Sequence, residues 1–245
     1  MSDALKGVRV LVTRPAHQAE NLCRLIEAEG GSVVRLPLLA IEPGTRAAEA
    51  RRLLAAPRDL WIFTSANAVR HALPLLGETW PPRLAAVGPA TAAALAAAGQ
   101  DAARPLAGAS SEALLELPEL ADAAGLRALV VTGEGGVEVL ERGLAARGAV
   151  VERAEVYRRV PLPYPPEAVA AALRRSDVVV VTSGESLEQL VRLTPEGSRA
   201  LLLKKPLVVP GARVVEKARE LGFTQPPRLA EPMSDAALCS ACAPP

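Results

Sequence analysis

Short polar and glycine-rich segments recur after apolar runs, and they hold most of the residues that could bind a ligand. Thr, Ser, Asn and Gly favour the first position of a helix, where backbone N–H groups have no partner within the helix. Such helix N-termini attract anions, so we expect a polyanionic ligand held by backbone donors, hydroxyls and a few Arg side chains. The same residue types also cap helices that bind nothing. The candidate binding residues are Thr13, Arg14, Thr64, Ser65, Asn67, Gly88, Ala90, Thr91, Gly133, Gly135, Gly136, Thr182, Ser183, Gly184, Gly211 and Arg213.

Side chains for other kinds of catalysis are scarce. His17 and His71 are the only histidines, which disfavours a triad with a Ser or Cys nucleophile, although His17 lies near the first loop. The glycine-rich segment 133–136 resembles a phosphate loop, but Glu138 stands where a dinucleotide fingerprint requires Gly. Clustered Asp, Glu and His residues that could hold a metal are lacking. We therefore expect neither a metal nor a cofactor, and Tyr157 is the most interesting acid.

The cysteines do not suggest a metal either. Cys239 and Cys242 form a Cys-x-x-Cys pair close to the end of the sequence. A zinc site would need two further ligands, and the neighbouring residues are Ser, Ala and Pro. A frayed terminus is the favoured interpretation of this segment.

The elements that must position these residues alternate between strands and helices. Residues 8–13 have the pattern of a strand, and Ala19, Leu22 and Ile26 follow at helical spacing before Gly30 ends the helix. Repetition of this pattern is typical of parallel sheets covered by helices on both faces. The loops at the carboxyl ends of such strands are the usual ligand surface. We therefore predict an α/β protein with two flavodoxin-like domains of similar design.

An internal repeat supports two similar halves. Adding 118 to the residue number maps segment 9–13 onto 127–131, within the second predicted strand 127–132, and maps segment 59–65 onto 177–183. The helical stripe then falls on Val137, Leu140 and Leu144. Further along the chain the offset becomes 123, so that Gly88 corresponds to Gly211 and Ser111 to Ser234.

Composition excludes several classes of partner. The net charge is +1 and aromatic residues make up 2% of the chain, so neither a basic field nor stacking platforms are available for nucleic acid. The first residues predict a strand rather than a signal peptide, and no apolar stretch is long enough to span a membrane. We expect a soluble, cytoplasmic protein. Only four of the 28 cationic residues are Lys; a high-GC genome and carboxylate recognition both explain this surplus of Arg, and we favour the first explanation for any single Arg.

With these residues assembled, the chain resembles the uroporphyrinogen-III synthase family along nearly its whole length. Each matching segment is short, but their order and spacing together are specific. The matching segments are 10–15, 63–69, 86–92, 148–152, 156–159 and 181–183.

The resemblance implies an enzyme that closes the linear polycarboxylate hydroxymethylbilane while inverting its last pyrrole ring and releasing water. It also implies a monomer that makes at most a transient contact with hydroxymethylbilane synthase. Tyr157 matches the family's tyrosine at a connector, which makes it the catalytic candidate, although a packed hinge aromatic is the alternative. The implied domains are 1–36 with 162–245 and, inserted between them, 42–155. A two-stranded ladder of residues 37–41 and 156–161 would join them, which agrees with Pro-marked connectors at 36–38 and 157–166.

The second copy of the repeat departs from the family pattern at two places, which weakens its match to the family. Thr132 and Val137 stand where the family often has Arg around the glycine-rich loop, and Gly211-Ala212-Arg213 lacks the Thr of the first-copy turn. Two other function classes remain open. One is a non-catalytic two-domain sensor of small molecules, and the other is an α/β glycosyl or phosphoryl transferase.

Overall fold

The computed structural model describes residues 3–77, 80–106 and 108–244. The chain forms two compact units. One, the terminal unit, combines the chain up to Ala40 with the chain from Val160 onward. The other, the central unit, is Ile41–Arg159. The chain passes between the units twice, within strands β3 and β7 defined below.

The elements are labelled in chain order. The terminal unit contains the strands β1 (Arg9–Val12), β2 (Ser32–Arg35), β8 (Val178–Val180), β9 (Leu207–Val209) and β10 (Arg228–Leu229). Its helices are α1 (Ala16–Ala28), α7 (Pro166–Arg174), α8 (Gly184–Leu193), α9 (Glu196–Leu203), α10 (Ala212–Glu220) and α11 (Asp235–Ala241). None of the helices in the described part of the chain is both long enough and apolar enough to cross a membrane.

The central unit is built in the same way. Its strands are β3 (Leu39–Pro43), β4 (Leu60–Phe63), β5 (Leu84–Ala86), β6 (Arg127–Gly133) and β7 (Val150–Pro161). Its α-helices are α2 (Ala47–Ala55), α3 (Ala66–Ala72), α4 (Pro89–Ala97), α5 (Ser111–Leu115) and α6 (Val139–Ala145), with short 3-10 helices at Leu73–Leu75 and Pro118–Leu120.

Each unit has one sheet of five strands. The terminal sheet has the order β10-β9-β8-β1-β2, and all of its neighbouring strands are parallel. The central sheet has the order β3-β7-β6-β4-β5, in which β7, β6, β4 and β5 are parallel. The prediction of an α/β fold with parallel sheets is confirmed.

Apolar side chains cover both faces of each sheet. In the terminal sheet, Leu11 and Val179 pack against the helices α7 to α10, whereas Val10 and Val178 pack against α1 and α11. Successive strand residues point to opposite faces, so runs such as Val178–Val180 are buried throughout. The central sheet follows the same rule, with α2, α3 and α4 on one face and α5 and α6 on the other.

Two ion pairs at the amino ends of the strands show how the two copies of the sequence repeat are divided between the two sheets. Arg9 donates two side-chain hydrogen bonds to Asp177, at 2.9 and 2.6 Å, and Arg127 donates its backbone N–H to Asp59 at 2.8 Å. Arg9 and Arg127 are repeat equivalents, and so are Asp59 and Asp177. The Arg of one copy therefore pairs with the Asp of the other, so each sheet combines half of each copy.

The first of these pairs predicts a weak pH dependence of stability. The hydrogen bond from Arg9 lowers the pKa of the Asp177 carboxyl. A carboxyl whose pKa is depressed by folding stabilises the fold above its ordinary pKa of about 3.9, and this stabilisation is lost as the pH falls through the lowered value. We expect Asp177→Asn to lower the thermal midpoint at pH 7 by about 1–2 °C, since both side chains are half exposed. Thermal scans at pH 7 and pH 2 check this, and a difference that persists at pH 2 would contradict it.

The C-terminal segment is a packed helix, so the prediction of a frayed terminus was wrong. Cys239 and Cys242 are 5% and 1% exposed and lie in the apolar core beside α1. Burial raises the pKa of the Cys242 thiol to about 12, which keeps it protonated and unreactive. The apolar residues Leu238, Cys239 and Cys242 follow helical spacing, but the neighbouring small residues hid this pattern.

The structure corrects three further details that were predicted from the sequence. Leu36, Leu38 and Tyr157 are buried in the apolar cores, so the Pro-marked connectors are not outside the core. Val137 precedes α6 and is 76% exposed, so it is not part of the helical stripe. The helix caps show that Ser110, not Ser111, is the equivalent of Ser234.

Candidate functional site

The six polar loops follow strands at their carboxyl ends. In the terminal unit, segments 13–15, 182–184 and 211–213 follow β1, β8 and β9. In the central unit, segments 64–67 and 88–91 follow β4 and β5, and segment 133–136 begins at the last residue of β6. The three strands concerned in each unit are parallel neighbours. Each unit therefore carries three of these loops at one edge of its sheet.

Serine caps begin the helix after the loop in both units. Ser65 Oγ accepts the N–H of Ala68 at 3.1 Å, and Ser183 Oγ accepts the N–H of Ser186 at 3.1 Å. The backbone angles of the two caps agree closely, with φ and ψ of −160° and 159° for Ser65 and of −159° and 158° for Ser183. These caps satisfy one backbone donor each, and other N–H groups of the first turn have no partner within the helix.

Tyr157 lies in β7 within a polar cluster of the central unit. Its side chain is 6% exposed, and its hydroxyl oxygen accepts a hydrogen bond from Ser65 Oγ at 3.2 Å and a long one from Arg159 at 3.5 Å. The guanidinium carbon of Arg159 lies 5.9 Å from the centre of the Tyr157 ring, which allows a cation–π contact. The ring of His71 is 5.9 Å from the same ring.

Gly133 makes room for the Tyr157 ring. A Cβ atom built on Gly133 would lie 2.5 Å from Cζ of Tyr157 and within 2.9 Å of two further ring atoms. The strand register between β6 and β7 shifts next to Gly133, and the N–H of Glu134 then bonds the carbonyl of Tyr157 at 2.8 Å. The glycine-rich loop and the tyrosine are therefore fitted to each other.

Arg153 holds the rest of the glycine-rich loop. Its guanidinium donates to the carbonyl of Gly136 at 3.0 Å and forms ion pairs with Glu141 and Glu155. A Cβ on Gly136 would lie 2.8 Å from this guanidinium. Gly135 has a φ of +71°, a backbone conformation that glycine adopts at low cost.

Glu134 fixes the same loop to the turn before α2. Its carboxylate accepts the backbone N–H and the hydroxyl of Thr45, at 2.5 and 2.7 Å. These two hydrogen bonds lower the pKa of the Glu134 carboxyl. The Glu134 carboxylate therefore has a structural role in holding the loop, and we do not assign it a proton transfer.

Several predicted binding residues use their side chains within the fold. Thr13 is fully buried, and its hydroxyl donates to the carbonyl of Val180 at 2.8 Å. Thr64 is half-buried and donates to the hydroxyl of Thr132 at 2.9 Å. Thr91 lies in the first turn of α4 and is 4% exposed. In this conformation neither Thr13 nor Thr91 presents its side chain to solvent.

The other predicted residues lie at or near the surface of their loops, with two exceptions. Gly88 is buried, and a Cβ there would lie 2.9 Å from the Cβ of Ala109. Gly133 is buried beneath Tyr157. The exposed or half-buried members are Arg14, Ser65, Asn67, Ala90, Gly135, Gly136, Thr182, Ser183, Gly184, Gly211 and Arg213.

The sequence interpretation missed Arg153, Arg159 and Asp235, which contact the predicted site residues. Arg159 was overlooked because the surplus of Arg was attributed to genome composition. Its position two residues after Tyr157 in a strand was the available signal, since residues i and i+2 lie on one face. Within the described residues, no group of three or more His, Cys, Asp or Glu side chains could hold a metal ion.

Comparison with known proteins places the chain in a family. The family described as "Uroporphyrinogen-III synthase HemD" matches residues 20–231. The uroporphyrinogen-III synthase of Escherichia coli (strain K12) is 38% identical over 225 residues, which cover 87% of this chain and 92% of the relative. The enzyme of the same name from Salmonella typhimurium is 39% identical with the same coverage.

Solved structures agree in fold. A mutant uroporphyrinogen III synthase from the extremely thermophilic bacterium Thermus thermophilus superposes with a TM-score of 0.64 at 24% identity, covering 94% of this chain and 95% of that structure. The Helicobacter pylori 26695 enzyme gives a TM-score of 0.59 at 17% identity, covering 94% and 96%. The match over residues 20–231 and the relatives above 30% identity establish that the chain belongs to the uroporphyrinogen-III synthase family.

Proposed function

We propose that this chain closes hydroxymethylbilane into uroporphyrinogen III, inverting the last pyrrole ring and releasing water, as a lyase of tetrapyrrole biosynthesis. The observation that carries the proposal is the family match over residues 20–231. Hydroxymethylbilane loses its hydroxyl and cyclises unaided, so the protein's task is to select which ring carbon attacks. A protein can do this by positioning the substrate, without a cofactor.

Binding of the polycarboxylate is assigned to the six loops. A net charge of +1 cannot concentrate anions around the whole protein, so the contacts must be local. The loops supply backbone N–H groups at the starts of α3, α4, α8 and α10, and these donors favour carboxylates. Arg14 and Arg213 add charge-assisted hydrogen bonds. The buried members Thr13, Gly88, Thr91 and Gly133 act by fixing the loop backbones.

Tyr157 is assigned to the departure of the substrate hydroxyl. The Ser65 oxygen accepts the N–H of Ala68, and the Ser65 hydroxyl donates its proton to Tyr157. Tyr157 therefore accepts from Ser65 and Arg159, and its own proton is available to the substrate. When this proton moves to the leaving hydroxyl, the carbon–oxygen bond breaks and water forms. Arg159 stabilises the resulting phenolate until ring closure returns a proton.

Ring inversion is assigned to the shape in which the substrate is held. A curled substrate whose last ring presents its substituted carbon would give a spiro intermediate rather than direct closure. Loops that hold carboxylates at fixed positions can impose such a shape, and this is catalysis by orientation. The side chains of this site supply binding and one weak acid, which suits a reaction whose main requirement is geometric.

We further infer that the two units are flavodoxin-like domains joined by the ladder 37–41 and 156–161, with domains at 1–36 with 162–245 and at 42–155. Counted from β1, the terminal sheet has the order 2-1-3-4-5, and the central sheet has the same order when counted from β4 with β3 last. This is the flavodoxin strand order. Hydrogen bonds from Leu162 to Leu38 and from Gly44 to Val156 flank the proposed ladder and support it.

The proposal also includes a cytoplasmic monomer that contacts hydroxymethylbilane synthase only transiently. A monomer that receives its substrate by diffusion needs no extensive partner surface. Sedimentation of the purified protein alone and with that synthase distinguishes a monomer from a stable complex.

The test of the proposed function is product analysis. Hydroxymethylbilane is generated enzymatically in the presence of this protein, and the products are oxidised and separated by isomer. We expect the type III isomer to exceed type I, because unaided closure gives type I. A product consisting of type I alone would reject the synthase activity and favour the non-catalytic sensor of small molecules, which would bind the compound without converting it.

A further inference from the structure

An ion pair in the terminal unit connects the first loop to the last helix. Arg14 follows β1, and its Nη1 donates to Oδ1 of Asp235, the first residue of α11. The two side chains are only 15% and 21% exposed. Partial burial limits screening by water, so this contact is stronger than a surface ion pair.

Asp235 is itself held from several directions. Its Oδ2 accepts the side-chain amide of Asn21 at 2.7 Å, and Asn21 in turn accepts Arg24 at 2.7 Å. The neighbouring Ser234 caps α11 by accepting the N–H of Ala237 at 3.1 Å, a hydrogen bond separate from those of the Asp235 carboxylate. The positive end of the α11 dipole further favours the carboxylate. Both carboxylate oxygens are therefore engaged, and Asp235 is a fixed anchor for Arg14.

Arg14 keeps donors that the anchor does not use. A guanidinium has five N–H donors; in Arg14 one on Nη1 bonds Asp235 and the one on Nε is buried, so the remaining Nη donors are the ones that can reach a ligand. Arg14 lies in a loop to which the proposed function assigns substrate carboxylates. A free Arg side chain must lose rotamer freedom when it binds a carboxylate, whereas an anchored one has already done so.

We propose that Asp235 is a positioning residue that holds the Arg14 guanidinium at the end of β1 for a carboxylate of the substrate. The inference rests on the proposed function and extends it, because it assigns a role to a side chain that does not itself contact the substrate. The Asp235 carboxylate would repel that substrate group if it were exposed beside it. Its contacts with Arg14 and Asn21 keep it directed into the protein.

A double-mutant cycle tests the coupling. Steady-state kinetics on hydroxymethylbilane are measured for Arg14→Ala, Asp235→Ala and the double variant. We expect Asp235→Ala to raise KM about 3- to 10-fold with little change in kcat, and Arg14→Ala to raise it at least as much. The double variant should match Arg14→Ala alone, since Asp235 acts only through Arg14. If the two single substitutions raised KM independently, so that their factors multiplied in the double variant, the proposal would be overturned.

Ser234→Ala is the matched control. It removes the cap of α11 without removing either member of the ion pair, so it should lower the thermal midpoint and leave KM unchanged. An increase in KM as large as that of Asp235→Ala would mean that helix stability, not the position of Arg14, controls binding. Failure of the proposed function itself would be recognised separately. In that case the unchanged protein would yield no type III isomer, and the positioning role of Asp235 would be rejected as well.

Discussion

Replacing Tyr157 by Phe is expected to lower kcat about 100-fold, the lower end of the range for loss of a positioned general acid. The ring would still fill its place over Gly133, and only the hydroxyl that contacts Ser65 and Arg159 would be lost. KM should change little, because the carboxylates are bound elsewhere. Rates of type III formation at saturating hydroxymethylbilane measure the effect.

Tyr164→Phe is the matched control, since Tyr157 and Tyr164 are the only tyrosines in the chain. The Tyr164 hydroxyl donates to the carbonyl of Pro37 at 2.9 Å, in the terminal unit. Its loss should cost about 1 kcal/mol of stability and leave kcat unchanged. A Tyr157→Phe variant with unaltered kcat would show that Tyr157 is a packing residue only.

Substitution of Gly133 by Ala is expected to impair both stability and turnover. The new methyl group would lie 2.5 Å from the Tyr157 ring, so the ring or the backbone of β6 must move. Overpacking of this kind costs about 1–3 kcal/mol of unfolding free energy. Displacement of the Tyr157 hydroxyl from Ser65 should also lower kcat about 10-fold or more. Chemical denaturation and steady-state rates measure the two effects.

Gly197→Ala is the control for the change of Gly to Ala itself. Gly197 lies in α9, and nothing lies within 4 Å of a Cβ built there. Ala should therefore stabilise the protein by about 0.5–1 kcal/mol, and turnover should not change. If Gly133→Ala left both stability and kcat intact, the fit between the glycine-rich loop and Tyr157 would have no functional importance.

The parallel sheets could be predicted from the sequence because the signals for them are local. Runs such as Val178–Val180 and Leu60–Phe63 are apolar at every position, which marks strands buried on both faces. The loops that follow them carry helix-capping residues such as Ser65 and Ser183. The prediction therefore needed only the chemistry of neighbouring residues.

The contacts of the candidate site could not be predicted in the same way. Ser65 and Tyr157 are 92 residues apart, and Arg14 and Asp235 are 221 apart. Such contacts depend on strand order and on the register shift beside Gly133, and neither leaves a local signal. The buried cysteines were misjudged for a related reason, because only the packing of α11 against α1 shows that this helix belongs to the core.

The discontinuous terminal unit has a consequence for the order in which the protein forms as it leaves the ribosome. The central unit is one continuous segment that ends at Arg159, so all of its strands are available before any later strand is made. By contrast, β1 pairs with β8, which begins at Val178, and β9 and β10 emerge later still. Domains generally fold during synthesis once their residues are complete. Strand β1 must therefore wait, unpaired on one side, until β8 has been synthesised.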